Sequence, residues 1–406
     1  MTRSRGMGIL TGAALLVALA SYAQAQEARR AISLDELRDK IRGGWAAQMI
    51  GVSYGSVYEF KAVGRMWTDA IREWKPEYVR NSIGQDDLYV EMTFMKVLEE
   101  KGLGATMLDF GTAFRDSQYN LWHANRAGRE NLRRGIMPPW SGHPKYNPHC
   151  DDIDFQIEAD FIGLICPGMP VAAQDIADRV GRVMNYGDGL YGGMFVATMY
   201  AQAFFESDPA NLVQAGLASL PDRSRYAAVI RDVLDWYNEH PNDWTAVWQR
   251  LEQKWGSDDR CPEGRGKPFN IDAKMNGAYV AVGLLYGKGD FAKTMEIATR
   301  CGQDADCNAA SAAGPLGVIL GWSGIADQWK SGIEAIKNDK FSYTDYSFEG
   351  VCDLTLRLAQ DIAKANGGAV ETRDGRPALV VALQQPQMPL TLEQWSGAGP
   401  LPDETE

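Results

Sequence analysis

Two acidic pairs stand far apart in the chain, Asp86-Asp87 and Asp304-Ala305-Asp306, and each opens a stretch of largely apolar residues. A helix start presents free backbone N–H groups and the positive end of the dipole, so carboxylates are favoured there. Taken singly, each pair reads as an acidic cap, a common role for Asp. Gathered in one pocket, the four would repel one another unless protonated or bridged by cations. Magnesium or manganese answers that conflict, because hard ions favour carboxylate, carbonyl and water oxygens. Two such ions in a shared site would polarise a substrate oxygen and supply a water of lowered pKa.

The elements that must position these residues read as helices. Ser33 followed by Glu36 has the capping-box spacing, and Leu34, Leu37, Ile41 and Trp45 then recur at helical intervals toward Gly51. The turn Val52 to Tyr58 carries Glu59 out of that helix. Arg80 to Gln85 reads as a polar loop and Leu88 to Leu98 as a helix. Residues 118–150, rich in aromatic, Asn, Gly and Pro residues, form an irregular segment of the kind that serves a site. One helix is predicted over Asp151–Ile165, two around the glycines of 187–193, and others over Ser224–Glu239, Trp244–Trp255, Ala273–Tyr286, Phe291–Arg300 and Phe348–Ala365. After Asp306, the small residues Ala309, Ala310, Ala312, Ala313, Gly314 and Gly317 would let other helices approach closely, and Pro315 should kink the axis. Strand alternation is confined to Ala378–Leu383. The fold class is all-α, a single helical bundle.

Composition narrows the partners. The chain has 406 residues, an apolar fraction of 45% and a net charge of −12. That is ample for a core, and the charge argues against nucleic acid or an anionic membrane surface as partner. Arg3 and Arg5, the apolar stretch Ile9–Ala20 and Ala23-Gln24-Ala25 read as a signal peptide cleaved before Gln26. The expected domains are thus a leader over 1–25, a helical body over 26–366 and a C-terminal extension over 367–406. The expected location is periplasmic or secreted, with no membrane association after cleavage. Export permits disulfides among Cys150, Cys166, Cys261, Cys301, Cys307 and Cys352, in any of fifteen complete pairings. No cysteine pair has zinc-knuckle spacing and the four histidines are scattered, so no structural zinc site is expected.

Three segments in order carry a family likeness: Ile41-Arg42-Gly43-Gly44 through Gly51 and Gly55 to Glu59, then Gly84-Gln85-Asp86-Asp87, then Gly302-Gln303-Asp304-Ala305-Asp306-Cys307-Asn308. With the stretches 152–170 and 187–204, they make the chain similar to the ADP-ribosylglycohydrolase family over most of residues 34–325. The resemblance implies an orthogonal all-α bundle with two Mg2+ ions, or Mn2+, cleaving a ribosyl glycosidic bond. It makes Asp86, Asp87, Asp304 and Asp306 metal ligands, with Gln85 and Cys307 at the flanking positions. It implies a catalytic group of Glu59, Asp87 and Asp304, with Glu59 the acid/base or a carboxylate displaced from metal by substrate. By itself, Glu59 reads as a solvated residue after a helix. Asp154, Gln156 and Glu158 match polar positions of a bacterial branch; Asp154 and Glu158 on one helix face suit sugar hydroxyls or plain solvation. Trp122, Asn125, Asn131 and Gly192 are candidates for substrate loops or for packing and turns.

Three departures are visible. Gln85 replaces a hydroxyl residue and keeps a carbonyl for a hard cation. Cys307 replaces another hydroxyl and is a poor magnesium ligand that could instead enter a disulfide. Val52 replaces an aspartate that commonly follows the first helix's glycine. The substrate expected is a small ADP-ribosyl, furanosyl or other glycoside. Two alternatives are a metal-free glycosidase using Glu59 with Asp154, and a silent binding or structural protein on the same fold.

Overall fold

The computed structural model describes residues 29–264 and 266–388. The leader-like segment with its cleavage site, and the end of the C-terminal extension, lie outside the described residues. The described chain enters as a strand, β1 (Arg29–Ser33), whose last residue caps the first helix. Ser33 Oγ accepts the Glu36 N–H at 3.1 Å, and α1 (Leu34–Gly55) follows. Pro76 then starts a 3₁₀ helix, Pro76–Gly84, where the sequence suggested a loop from Arg80; its fixed φ suits a first helical turn. Next come α2 (Asp86–Lys101), α3 (Met107–Asp116), α4 (His123–Arg133), α5 (Asp154–Ile157), α6 (Asp160–Leu164), α7 (Pro170–Gly181) and α8 (Asp188–Ala203). The remaining helices are α9 (Pro209–Ala218), α10 (Arg225–Glu239), α11 (Trp244–Trp255), α12 (Ala273–Gly287), α13 (Phe291–Arg300), α14 (Ala305–Gly324), α15 (Asp327–Glu334) and α16 (Phe348–Ala365). Strands β2 (Ala369–Arg373) and β3 (Arg376–Ala382) follow. The fold is the expected all-α class with one small sheet.

That sheet has the order β1-β3-β2 and is antiparallel throughout, with Arg29 opposite Ala382 and Ala369 opposite Val380. Only β3 carried a strand signal, because it alone buries a run, Ala378 to Val381. β1 and β2 are five residues each and mostly exposed, so neither shows alternation.

The central contact is α1 against α14, running antiparallel. A Cβ added at Gly43 would lie 2.2 Å from the Gly317 carbonyl oxygen; at Gly51, 2.6 Å from that of Ala309; at Gly55, 2.4 Å from Asp306 Cα. The two backbones therefore touch along much of their length, as the small residues after Asp306 suggested. On the other side of α14, a Cβ at Gly314 would meet the Tyr200 hydroxyl of α8 at 1.4 Å. Around this pair, Trp45 is wholly buried and donates its indole N–H to Thr355 of α16 at 3.0 Å.

Further local expectations change: the segment 118–150, expected to be irregular, contains α4. The backbone of α14 leaves helical geometry at Gly321 (φ 69°, ψ 164°) rather than at Pro315. A positive φ is open to glycine, and the Asp39 carboxylate of α1 fixes the bend by accepting the Ser323 N–H at 3.0 Å and hydroxyl at 2.8 Å. The single helix predicted over Asp151–Ile165 is two short helices separated at Glu158 and Ala159. Its acids are buried and bonded in different directions, each through one oxygen: Asn125 donates to Glu158, and the Tyr200 hydroxyl donates to Asp160 at 3.0 Å. A continuous helix would have pointed Asp154 and Glu158 the same way. All six cysteines are free and buried, so the permitted disulfides, that of Cys307 included, are not formed.

If the α1/α14 contact holds the bundle together, Gly51→Ala must lose stability because its methyl meets backbone rather than a movable side chain. A loss of about 3 kcal/mol is expected in denaturant unfolding; a change below about 0.5 kcal/mol would show that the helices can separate at little cost.

Candidate metal centre and substrate cleft

The α1/α14 contact carries directly into the candidate site. Gly55 ends α1 against Asp306, and the chain then turns so that Phe60 N–H donates to the Gln303 carbonyl at 2.9 Å while Gln303 N–H donates to the Ala62 carbonyl at 2.9 Å. Glu59 is thereby held at the mouth of α14, whose N-cap is Asp304. This close pairing needs Gly302 at φ 88°, where a Cβ would sit 2.3 Å from the Ala62 oxygen. The Gln303 side chain is spent on the same scaffold, accepting Asn270 N–H at 3.0 Å and donating to the Pro268 carbonyl at 2.9 Å.

A cleft of about 440 Å³ opens here. Its acidic side is Glu59, Gln85, Asp86, Asp304, Asp306 and Cys307; its apolar side is Phe60, Ile153, Ile157, Phe269 and Ile271; Trp122, His123 and Asp154 complete it. The two distant acidic pairs thus converge. Asp87 lies one step deeper, 1% exposed, with the Cys307 thiol 3.5 Å from its Oδ2. Buried oxygens of Asp87, Asp304 and Asp306 (Oδ1 in each) have no hydrogen-bond donor. Among the described residues, no Lys or Arg lines the cleft.

The electrostatics follow. Burial first, then the charges of Asp306 and Asp86, raise the Glu59 carboxyl to about 7. Burial raises Asp306 to about 6, partly offset by a hydrogen bond from Asp304. Asp87 and Asp304 are pushed well above the usual carboxylate range by burial and then by neighbouring carboxylates, and Asp86 is raised by burial. Burial likewise holds the Cys307 thiol neutral, its pKa far above the ordinary value. Oxygen atoms without donors, like charges without a cation, and a donor set of carboxylates plus an amide together suit a hard divalent ion. Carboxylate and thiol atoms of Asp304, Asp306 and Cys307 lie within 4.8 Å of one another.

The expected substrate residues divide. Trp122, 53% exposed, and Asp154 line the cleft. Asp154 caps α4, its two oxygens accepting the N–H groups of Ala124 at 3.1 Å and Asn125 at 3.0 Å. Asn125 and Glu158 are bonded to each other behind this wall, Glu158 wholly buried and so out of reach of a sugar hydroxyl. Asn131, Gln156 and Gly192 do not line the cleft either, Asn131 facing a neighbouring cavity. The Asn131 amide donates to the carbonyls of Ser141 and Tyr146, both at 3.0 Å, tying down the loop after α4. Gln156 accepts the Tyr226 hydroxyl at 2.7 Å, and Gly192 makes room for it, since a Cβ there would sit 2.6 Å from its Oε1.

Sequence reasoning missed the opposite wall. Phe60 and Phe269 pack with ring centroids 4.9 Å apart, and His123 stacks on Phe269 at 6.3 Å. Phe60 was visible as the neighbour of Glu59, but Phe269 lies in the irregular segment between α11 and α12, which carries no periodic pattern.

A family model described as ADP-ribosylglycohydrolase matches residues 33–368. Among solved structures the chain is similar to one described as an "ADP-ribosylglycohydrolase-related protein complex", at 17% identity and a TM-score of 0.51, over 80% of this chain and 98% of that chain. That likeness shows the fold. No curated protein matches. The family match supports a glycohydrolase-like function, and because it spans the acidic segments and the helices that bring them together, the chain belongs to the ADP-ribosylglycohydrolase family.

Proposed function

We propose that this protein is a divalent-metal-dependent hydrolase of a ribosyl-type or related furanosyl glycosidic bond. The observation that carries the reading is the convergence of two remote acidic pairs on one cleft, with buried oxygens left without donors. Asp86, Asp87, Asp304 and Asp306 would hold two magnesium or manganese ions, with the Gln85 amide oxygen and, less favourably, the Cys307 thiol at the edges. When bound, the ions would polarise sugar oxygens and lower the pKa of a water.

The chain's own groups do the rest. Glu59, at the mouth and raised to about 7, is placed to accept a proton from the attacking water and return it to the leaving group as oxocarbenium character develops. Phe60, Phe269 and Trp122 offer faces for a sugar or base ring and exclude water from it. Asp154 positions the start of α4, and with it Trp122, rather than acting on substrate, since both its oxygens are engaged. That engagement weighs against a metal-free Glu59/Asp154 pair. Among the described residues the lining has no Lys or Arg, which favours a substrate whose bound portion is neutral over one that buries a pyrophosphate there. The leader-like residues 1–25 support an extracytoplasmic place of work; amino-terminal sequencing of the exported protein should begin at Gln26, and an intact Met1 would refute export by this route.

Activity on a panel of ADP-ribosyl-arginine, ADP-ribosyl-serine and simple furanosides should vanish with chelator and return with Mg2+ or Mn2+. Asp304→Asn and Asp306→Asn should each lower kcat/KM by roughly 100-fold or more, about 3 kcal/mol of barrier. Chelator-resistant turnover would sink the metal-dependent reading, and failure to cleave any glycoside, with no thermal stabilisation by either ion, would favour a silent member of the fold.

The raised carboxylates also set a pH dependence. Unfolded Asp and Glu titrate near 4, but Asp306 and Glu59 in the folded chain titrate near 6 and 7. Between those limits the folded state binds more protons, so stability falls as pH rises, fully by about pH 7. In chelator, the melting temperature should therefore drop from pH 5 to pH 7.5, and saturating Mg2+ should flatten that slope. An equal slope with and without the ion would show that these carboxylates do not meet it.

A further inference from the structure

A second constellation adjoins the cleft at the start of α4. His123 is its first residue, and the loop before α5 brings up His149 and Asp152. Asp152 Oδ2 is 2.9 Å from His149 Nδ1 and 3.4 Å from His123 Nδ1, and Glu263 Oε2 is 3.3 Å from the same His149 nitrogen. One ligand atom from each of His123, His149 and Asp152 falls within 4.8 Å of the others. Asp152 is wholly buried, and its other oxygen, Oδ1, has no hydrogen-bond donor. Its backbone is pinned: Asp152 N–H donates to the His149 carbonyl at 2.9 Å, the Asn185 amide donates to the Asp152 carbonyl at 2.8 Å, and Ile153 N–H donates to Ile271 at 3.0 Å. A cavity of about 460 Å³, which shares Trp122 and His123 with the substrate cleft, reaches the two histidines and Glu263.

We propose that His123, His149 and Asp152, with the Glu263 carboxylate at the rim, form a second metal centre that takes a divalent transition ion of the zinc class. The donor set decides the class. Two imidazole nitrogens with one or two carboxylates suit zinc and its neighbours, whereas magnesium and manganese prefer the all-oxygen acids of the cleft. Burial keeps both rings neutral, the state in which a nitrogen lone pair is free to bind. Hydrogen bonding alone accounts less well for the arrangement: two imidazoles converge on one carboxylate oxygen while the other oxygen of the same group goes without a donor. An ion here would join α4, the 147–153 loop and the Glu263 segment, and would hold His123 where its ring stacks on Phe269 in the substrate cleft. The site does not depend on the hydrolase reading.

The test uses the purified full chain, stripped with chelator and then saturated with Mg2+ so that the acidic cleft does not compete. Titration with Co2+, a coloured stand-in for Zn2+, should show one equivalent bound, with the visible absorption of a nitrogen- and oxygen-ligated site, and Zn2+ should displace it. His149→Ala should abolish the band, and Asp306→Asn should keep it. Because a change at buried Asp152 could unfold the chain, His149→Gln, on the partly exposed ring, serves as the second variant and should also lose the band. Absence of the band in folded wild-type protein, or a band that survives His149→Ala and disappears in Asp306→Asn, overturns the proposal.

Discussion

Direct backbone contact between α1 and α14 is the constraint on which the rest of the molecule depends. Glycines at 43, 51, 55 and 317 remove the side chains that would otherwise keep two helices 8 to 10 Å apart. The antiparallel direction puts the exit of α1 beside the entrance of α14, and so sets Glu59 beside Asp304 and Asp306. The glycines of the first motif and the aspartates of the last therefore belong to one structural device, although hundreds of residues separate them.

That device places like charges where the protein can do little to relieve them. Glu91, wholly buried on α2, receives the Gln48 amide at 2.9 Å and the Phe161 N–H at 3.0 Å, and Asp160 receives the Tyr200 hydroxyl. Glu91 has a donor on each oxygen, but Asp160, like Glu158 and Asp152, keeps one oxygen without a donor, as Asp87, Asp304 and Asp306 do. What sets the cleft apart is the number of carboxylates that line one cavity: Glu59, Asp86, Asp154, Asp304 and Asp306. The apolar wall opposite, Phe60 with Phe269, lowers the local dielectric and strengthens every charge interaction in the cleft.

Much of this was legible in the residues. Asp86, Asp87, Asp304 and Asp306 declared themselves by standing at helix starts, and the small residues of α14 declared a close partner. Family likeness supplied Glu59, which its local sequence did not distinguish. What stayed illegible depends on tertiary direction. Asn131, Gln156 and Gly192 were candidates for substrate loops, yet the Asn131 amide is bonded to the loop after α4, Gln156 to Tyr226, and Gly192 gives Gln156 room. Phe269 and the His123–His149–Asp152 group arise where irregular segments cross, and no period in the chain announces a crossing. The break between α5 and α6 is of the same kind, since buried acids drawn to partners on different sides override a helical pattern.

The small sheet has a consequence for the order of assembly. β1 leads straight into α1 through the Ser33 cap, yet its ladder partner is β3, near the far end of the described chain. The first described strand must wait for most of the polypeptide before it can pair, and the loop it closes is nearly as long as the domain. Until the C-terminal hairpin is made, the lead-in to the central helix has no ladder partner.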